Sequence, residues 1–118
     1  MTAALVFIGF LAAAALGTAV RFLTSLLLNN DFPVGTLLVN LLASTLLGLL
    51  VGADVGESMS LVVGVGALGA LSTWSAVANE AAVMARRDDG ALALAYLALT
   101  VLSGVMFAWF GLRLGRVL

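Results

Sequence analysis

Gly64-Val-Gly-Ala-Leu-Gly-Ala-Leu-Ser-Thr-Trp-Ser-Ala-Val-Ala-Asn-Glu80 decides what class of molecule this is. The stretch sits inside a run apolar enough for a bilayer, yet it holds three glycines, three hydroxyls, an amide and a carboxylate. Hydrocarbon offers polar atoms no partners, and an unsatisfied backbone group there costs several kcal/mol. A membrane segment this polar must face protein or water, which points to a permeation or binding site.

The rest of the chain agrees with a membrane setting. Of 118 residues, 64% are hydrophobic and 9% charged, against about 45–50% and 25% in soluble domains. The absence of cysteine excludes disulfides, thiol catalysis and thiolate metal sites. The absence of histidine removes the commonest general base and metal ligand, so enzymatic chemistry is not excluded but lacks its usual parts. A net charge of −1 gives no case for nucleic acid. The opening Met1-Thr-Ala-Ala-Leu-Val-Phe has no basic lead, and the apolar run after it is longer than a signal core, so it is expected to be a retained helix.

Polar punctuation divides the chain into four apolar segments, expected as helices over about 2–28, 34–51, 59–85 and 91–112 in a single transmembrane domain. Asn29-Asn-Asp-Phe-Pro33 ends the first, and Pro33 suits the start of the second. Gly52 to Ser58 forms the second turn, with Ser58 a candidate N-cap. Arg86-Arg-Asp-Asp-Gly90 forms the third. Arginines near the helix ends are almost balanced between the two sides: Arg113 and Arg116 against Arg86, Arg87 and, by snorkelling, Arg21. The orientation signal is correspondingly weak.

Residues four apart stack on one helix face. Thr36, Asn40 and Ser44 form such a stripe, as do Tyr96 and Thr100, with Ser103 further along. Ser72, Ser75 and Asn79 share a face of the third helix, with Thr73 and Glu80 beside it. Interhelical glue explains any one hydroxyl, at about 0.6 kcal/mol per contact. Three aligned stripes with two asparagines and a glutamate exceed that role. Four helices packed together leave no lumen, so a pathway on these stripes would lie between subunits. Gly48 and Gly52 form a GxxxG pair that permits close helix approach. Gly64, Gly66 and Gly69 precede Ser72 near the centre of the third helix, where a break would free carbonyls for a cation. Arg21 lies seven residues before the end of its helix, about 10 Å at the helical rise, as a snorkelling residue or as a fixed charge attracting anions.

These residues together resemble one family. Gly17-Thr-Ala-Val-Arg21-Phe is similar to Gly-Ala-x-x-Arg-Tyr, and Gly35-Thr-Leu-Leu-Val-Asn40-Leu-Leu-Ala-Ser44 to Gly-Thr-Leu-x-Val-Asn-x-x-Gly-Ser. Gly69-Ala-Leu-Ser-Thr-Trp-Ser-Ala-Val77 is similar to Gly-Gly-Leu-Thr-Thr-Phe-Ser-Thr-Phe. These motifs belong to the Fluc (CrcB) fluoride channels, and the chain resembles a member over nearly its whole length. The resemblance implies an all-α membrane protein working as an antiparallel, dual-topology dimer. It implies passive fluoride export across the cell membrane and a structural sodium ion (Na+) at the dimer centre, on the carbonyls of Gly69 and Ser72. Asn40 would be a pore donor. Thr73, Ser75, Glu80, Tyr96, Thr100 and Ser103 would belong to the polar route, with Arg21 near the entrance.

The family lines its pores with two phenylalanines, and here those positions are Trp74 and Val77, with Ala76 replacing the threonine between them. A ring edge is electropositive and can meet an anion, which valine cannot do. The pores of a homodimer would then conduct poorly, or a paralogous subunit would supply the rings in a heterodimer; the heterodimer is the favoured expectation. Two alternatives remain: a non-conducting partner subunit, and a small dual-topology proton-coupled multidrug transporter. The transporter class relies on a glutamate in its first helix, where this chain has none.

Overall fold

The computed structural model describes residues 2–118. Four helical spans are long and apolar enough to cross a membrane: Ala3–Leu28, Val34–Gly52, Glu57–Arg86 and Gly90–Gly115. The first is α1 and the second α2. The third is assembled from α3 (Glu57–Met59), a π-helical stretch Ser60–Leu68, α4 (Gly69–Leu71) and α5 (Trp74–Arg86). The fourth, Gly90–Gly115, is α6.

Local chemistry sets the ends. Thr2 caps α1 by accepting the Leu5 N–H at 3.4 Å. Asp89 caps α6 by accepting from Leu92 at 3.2 Å. Ser58 does not cap the third span, contrary to expectation. The chain enters that span through Gly56 at φ 87°, a conformation that favours glycine, and is helical from Glu57. Arg113 lies over the Trp109 ring at 5.2 Å, a pairing suited to the membrane interface.

The bend falls at Ser72 and Thr73, both extended, with ψ of 152° and 120°. It lets one span serve two cores. Leu68 and Leu71, before the bend, pack with Val39 and Ala43 of α2. Val77, Ala81 and Met84, after it, pack with Ala93 and Tyr96 of α6. The π-helical half lies close against α1, where the Ala67 carbonyl sits in the space a side chain at Gly17 would need. A π-helical stretch this long has no counterpart in the sequence expectation of an α-helix broken once.

The tightest packing joins α2 to α6 and is reciprocal. Gly48 and Gly52 face the carbonyls of Ala108 and Leu112, while Gly111 and Gly115 face those of Thr45 and Leu49. Two GxxxG pairs therefore mesh, and the second, Gly111 and Gly115, is not among the sequence expectations. The Cα envelope is a slab of 52 × 30 × 18 Å, two helix layers thick. Between the helices, side-chain hydrogen bonds form two groups, one joining Asn40 to Thr73 and one joining Asn29, Thr36 and Tyr96 to Glu80.

Candidate functional site

The site begins where the third span loses its helical bonding. In an α-helix the Gly69 carbonyl accepts the N–H of Thr73, and the Ser72 carbonyl that of Ala76. Both donors are engaged elsewhere. The Thr73 N–H goes to Asn40 Oδ1 at 2.7 Å, and the Ala76 N–H to Thr73 Oγ1 at 3.2 Å. Asn40 completes the exchange by donating Nδ2 to the Thr73 carbonyl at 3.1 Å. Its amide thus replaces a β-type partner for Thr73 and props the bend open from α2. The carbonyls left over, Gly69 and Ser72, belong to an exposed and a half-buried residue.

Beside the bend runs an open groove of about 350 Å³, lined by Asn40, Ser44, Ser72, Thr73, Trp74 and Thr100 among others. A smaller hollow of about 100 Å³ continues from it, sharing Ser44 and Ser72 and reaching Gly64 and Gly69. Among the described residues, Thr100 Oγ1 and Arg21 Nε are the buried side-chain polar atoms without a hydrogen-bond partner. Thr100 is 8% exposed and lines the groove, while its hydroxyl oxygen is buried and lies beside the Tyr96 phenol. A separate groove of about 300 Å³, lined by Met106, Phe107, Trp109 and Phe110, offers an ion no polar atom.

A second polar cluster is centred on Glu80. Its Oε1 accepts from Thr36 Oγ1 at 2.7 Å and Asn29 Nδ2 at 3.3 Å, and its Oε2 from Tyr96 at 2.6 Å. Three donors from α2, the first turn and α6 therefore converge on the two oxygens of one carboxyl group.

The sequence-derived residues therefore divide into groups. Asn40, Thr73, Trp74 and Thr100 meet at the groove. Glu80 and Tyr96 meet at the second cluster. Ser75 joins the first through a 3.2 Å contact with Thr73 Oγ1. Ser103 donates its hydroxyl back to the Leu99 carbonyl of its own helix. Trp74 is 59% exposed, whereas Val77 is fully buried in the α5–α6 core. Arg21 is half-buried, one turn beyond the contact of Gly17 with Ala67 and Leu71. Three participants are absent from the expected site. Ser44 and Thr36 are visible in the sequence as members of the α2 stripe. Asn29 reads there only as a turn residue, because nothing in its local sequence signals a contact 51 positions away.

The family model for CrcB-like protein, Camphor Resistance (CrcB), matches residues 6–112. A protein of Geobacillus kaustophilus named fluoride-specific ion channel FluC 1 is 45% identical over 85 residues, covering 72% of this chain and 73% of its own. A Rhodococcus jostii protein named fluoride-specific ion channel FluC 2 is 36% identical over 116 residues, covering 97% and 98%. One of the same name from Moorella thermoacetica is 39% identical over 102 residues, covering 80% and 84%. These relatives bear the names of ion channels, not of enzymes. With four membrane-spanning helices, a third span bent beside an open groove and a family match over nearly its full length, the chain belongs to the CrcB-like family of multi-pass membrane proteins.

Proposed function

We propose that this chain is one subunit of a fluoride-selective passive channel of the cell membrane, its 118 residues forming a single four-helix domain. The observation that carries the reading is the open groove at the bend, where Asn40, Ser44, Ser72, Thr73 and Thr100 converge among apolar neighbours. A narrow anion route needs donors that replace the ion's hydration shell. Thr100, Ser44 and the Ser75 and Thr73 hydroxyls supply them, and Trp74 adds a ring edge and an N–H. The names of the relatives supply the ion.

The groove is half a wall. A second subunit laid antiparallel across this face would close it, and the apposed bends would bring Gly69 and Ser72 carbonyls together. The residues fit a sodium ion there, because those carbonyls have lost their helical donors to Asn40 and to the Thr73 hydroxyl. Such a cation would add positive potential beside the anion route. Glu80, Tyr96, Arg21 and Ser103 would line the approaches.

A second reading rests on Val77 and Trp74. Val77 is fully buried and presents no ring to the groove, so one of the family's two aromatic positions contributes nothing to the anion route from this subunit. A paralogous partner would supply it, in a heterodimer with one working pore. Fluoride efflux from liposomes holding the chain alone, then with a paralogous subunit of the same organism, tests both readings. Flux from the lone chain establishes a homodimer, and flux only from the mixture establishes the pair. Silence in both overturns the channel reading.

A further inference from the structure

Asn29 leaves α1 in an extended conformation, φ −81° and ψ 119°. Its Oδ1 accepts the Thr36 N–H at 3.1 Å. That bond fixes the amide's orientation, since a backbone N–H can only donate. Nδ2 must then face Thr36 Oγ1 at 2.9 Å and Glu80 Oε1 at 3.3 Å. The same side chain caps a helix. Pro33 stands at the N-cap of α2 without a side-chain bond, and Asn29 satisfies the N–H of the third helical residue in its place.

Two neighbours are shaped to this contact. A Cβ at Gly35 would lie 2.5 Å from the Thr24 carbonyl oxygen and 2.9 Å from Asn29 Oδ1, so only glycine lets the amide approach. Phe32, in the same turn, meets the Tyr96 ring edge-on at 5.4 Å and 82°. The turn therefore grips both ends of the Tyr96–Glu80 hydrogen bond, the carboxylate through Asn29 and the phenol through Phe32.

We propose that Asn29 is a positioning residue for Glu80: the turn between α1 and α2 fixes the orientation of a carboxylate beside the anion route. The inference rests on the reading of Glu80 as part of that route. A free carboxylate there would repel the ion. One held by three donors has both oxygens engaged within the subunit.

Asn29→Asp separates the two tasks of the side chain. It keeps an oxygen for the Thr36 N–H, so the cap survives, but replaces the donor facing Glu80 with a second carboxylate. The groups facing Glu80 would then be that introduced carboxylate, Thr36 and Tyr96, and two carboxylates in contact share a proton. Wild type, N29D, E80Q and N29D/E80Q are compared in liposomes. One readout is the infrared band of the Glu80 carboxyl, identified by its loss in E80Q; the other is fluoride efflux. In N29D the band is expected to move in frequency relative to wild type, with a folded protein of modestly lower melting temperature. Efflux near neutral pH should fall about tenfold, the scale of one lost bond to a charged group. In N29D/E80Q the new amide can donate to the new carboxylate, and efflux should recover relative to N29D. An infrared band in N29D identical to wild type overturns the proposal. The infrared readout needs no flux: a shifted band in a chain silent both alone and paired would uphold the positioning role and refute the channel reading.

Discussion

Among single residues, two side chains of one groove should respond to substitution in different ways. Asn40 makes two bonds to the backbone of Thr73, and nothing else on α2 could replace both. Asn40→Ala leaves two backbone groups without partners, each at about 1–3 kcal/mol. The expected outcome is a lower melting temperature and loss of fluoride flux together. Thr100→Val is a near-isosteric change that removes an unpartnered hydroxyl. Stability should change by less than in Asn40→Ala, because at most the contact of the hydroxyl with Tyr96 is lost, while fluoride flux falls. Parallel melting and efflux measurements separate the two: a Thr100→Val protein that is destabilised but fully conducting would contradict its assignment. The aromatic positions differ in the same way. Trp74→Phe changes an exposed ring and should leave folding intact. Val77→Phe forces a larger group into a fully buried site, at about 1–3 kcal/mol.

Among the helices and turns, periodicity makes the four spans legible, because bilayer thickness demands about 20 apolar residues and polar turns interrupt them. The bend is legible for a related reason: glycines followed by hydroxyls conflict with a continuous lipid-facing helix. What periodicity does not carry is pairing between elements. Gly111 and Gly115 have meaning only beside Gly48 and Gly52, whose carbonyl neighbours they mirror. Asn29 and Glu80 are coupled only once the first turn folds over α5. The π-helical stretch Ser60–Leu68 is also absent from the sequence expectations. The α2–α6 interface gives a graded prediction. Gly48→Leu or Gly111→Leu would drive a side chain into a facing backbone, and folded protein in detergent should largely disappear. Gly104→Ala, whose new methyl would meet only Ser44 Oγ at 3.7 Å, should leave yield and melting unchanged. Equal behaviour of the two classes in size-exclusion profiles would contradict the meshing of glycines across this interface.

Taken whole, a slab 18 Å thick whose surface groove exposes the bend of the third span is expected to be covered by a partner in a bilayer. The bend carbonyls, which have lost their helical donors, need something other than acyl chains against them. The chain lacks cysteine, so a single Ser72→Cys reports directly on what that is. Two copies meeting antiparallel at the bend should form a disulfide under mild oxidation, whereas Leu94→Cys, on an exposed apolar face, should not. Whether this face is half of a fluoride route is decided by ion efflux from liposomes containing the chain with and without a paralogous subunit. Fluoride efflux is expected in at least one of these preparations, with no chloride efflux in either and loss of the fluoride signal on Thr100→Val. Absence of fluoride efflux from both, or equal efflux of fluoride and chloride, would contradict that role.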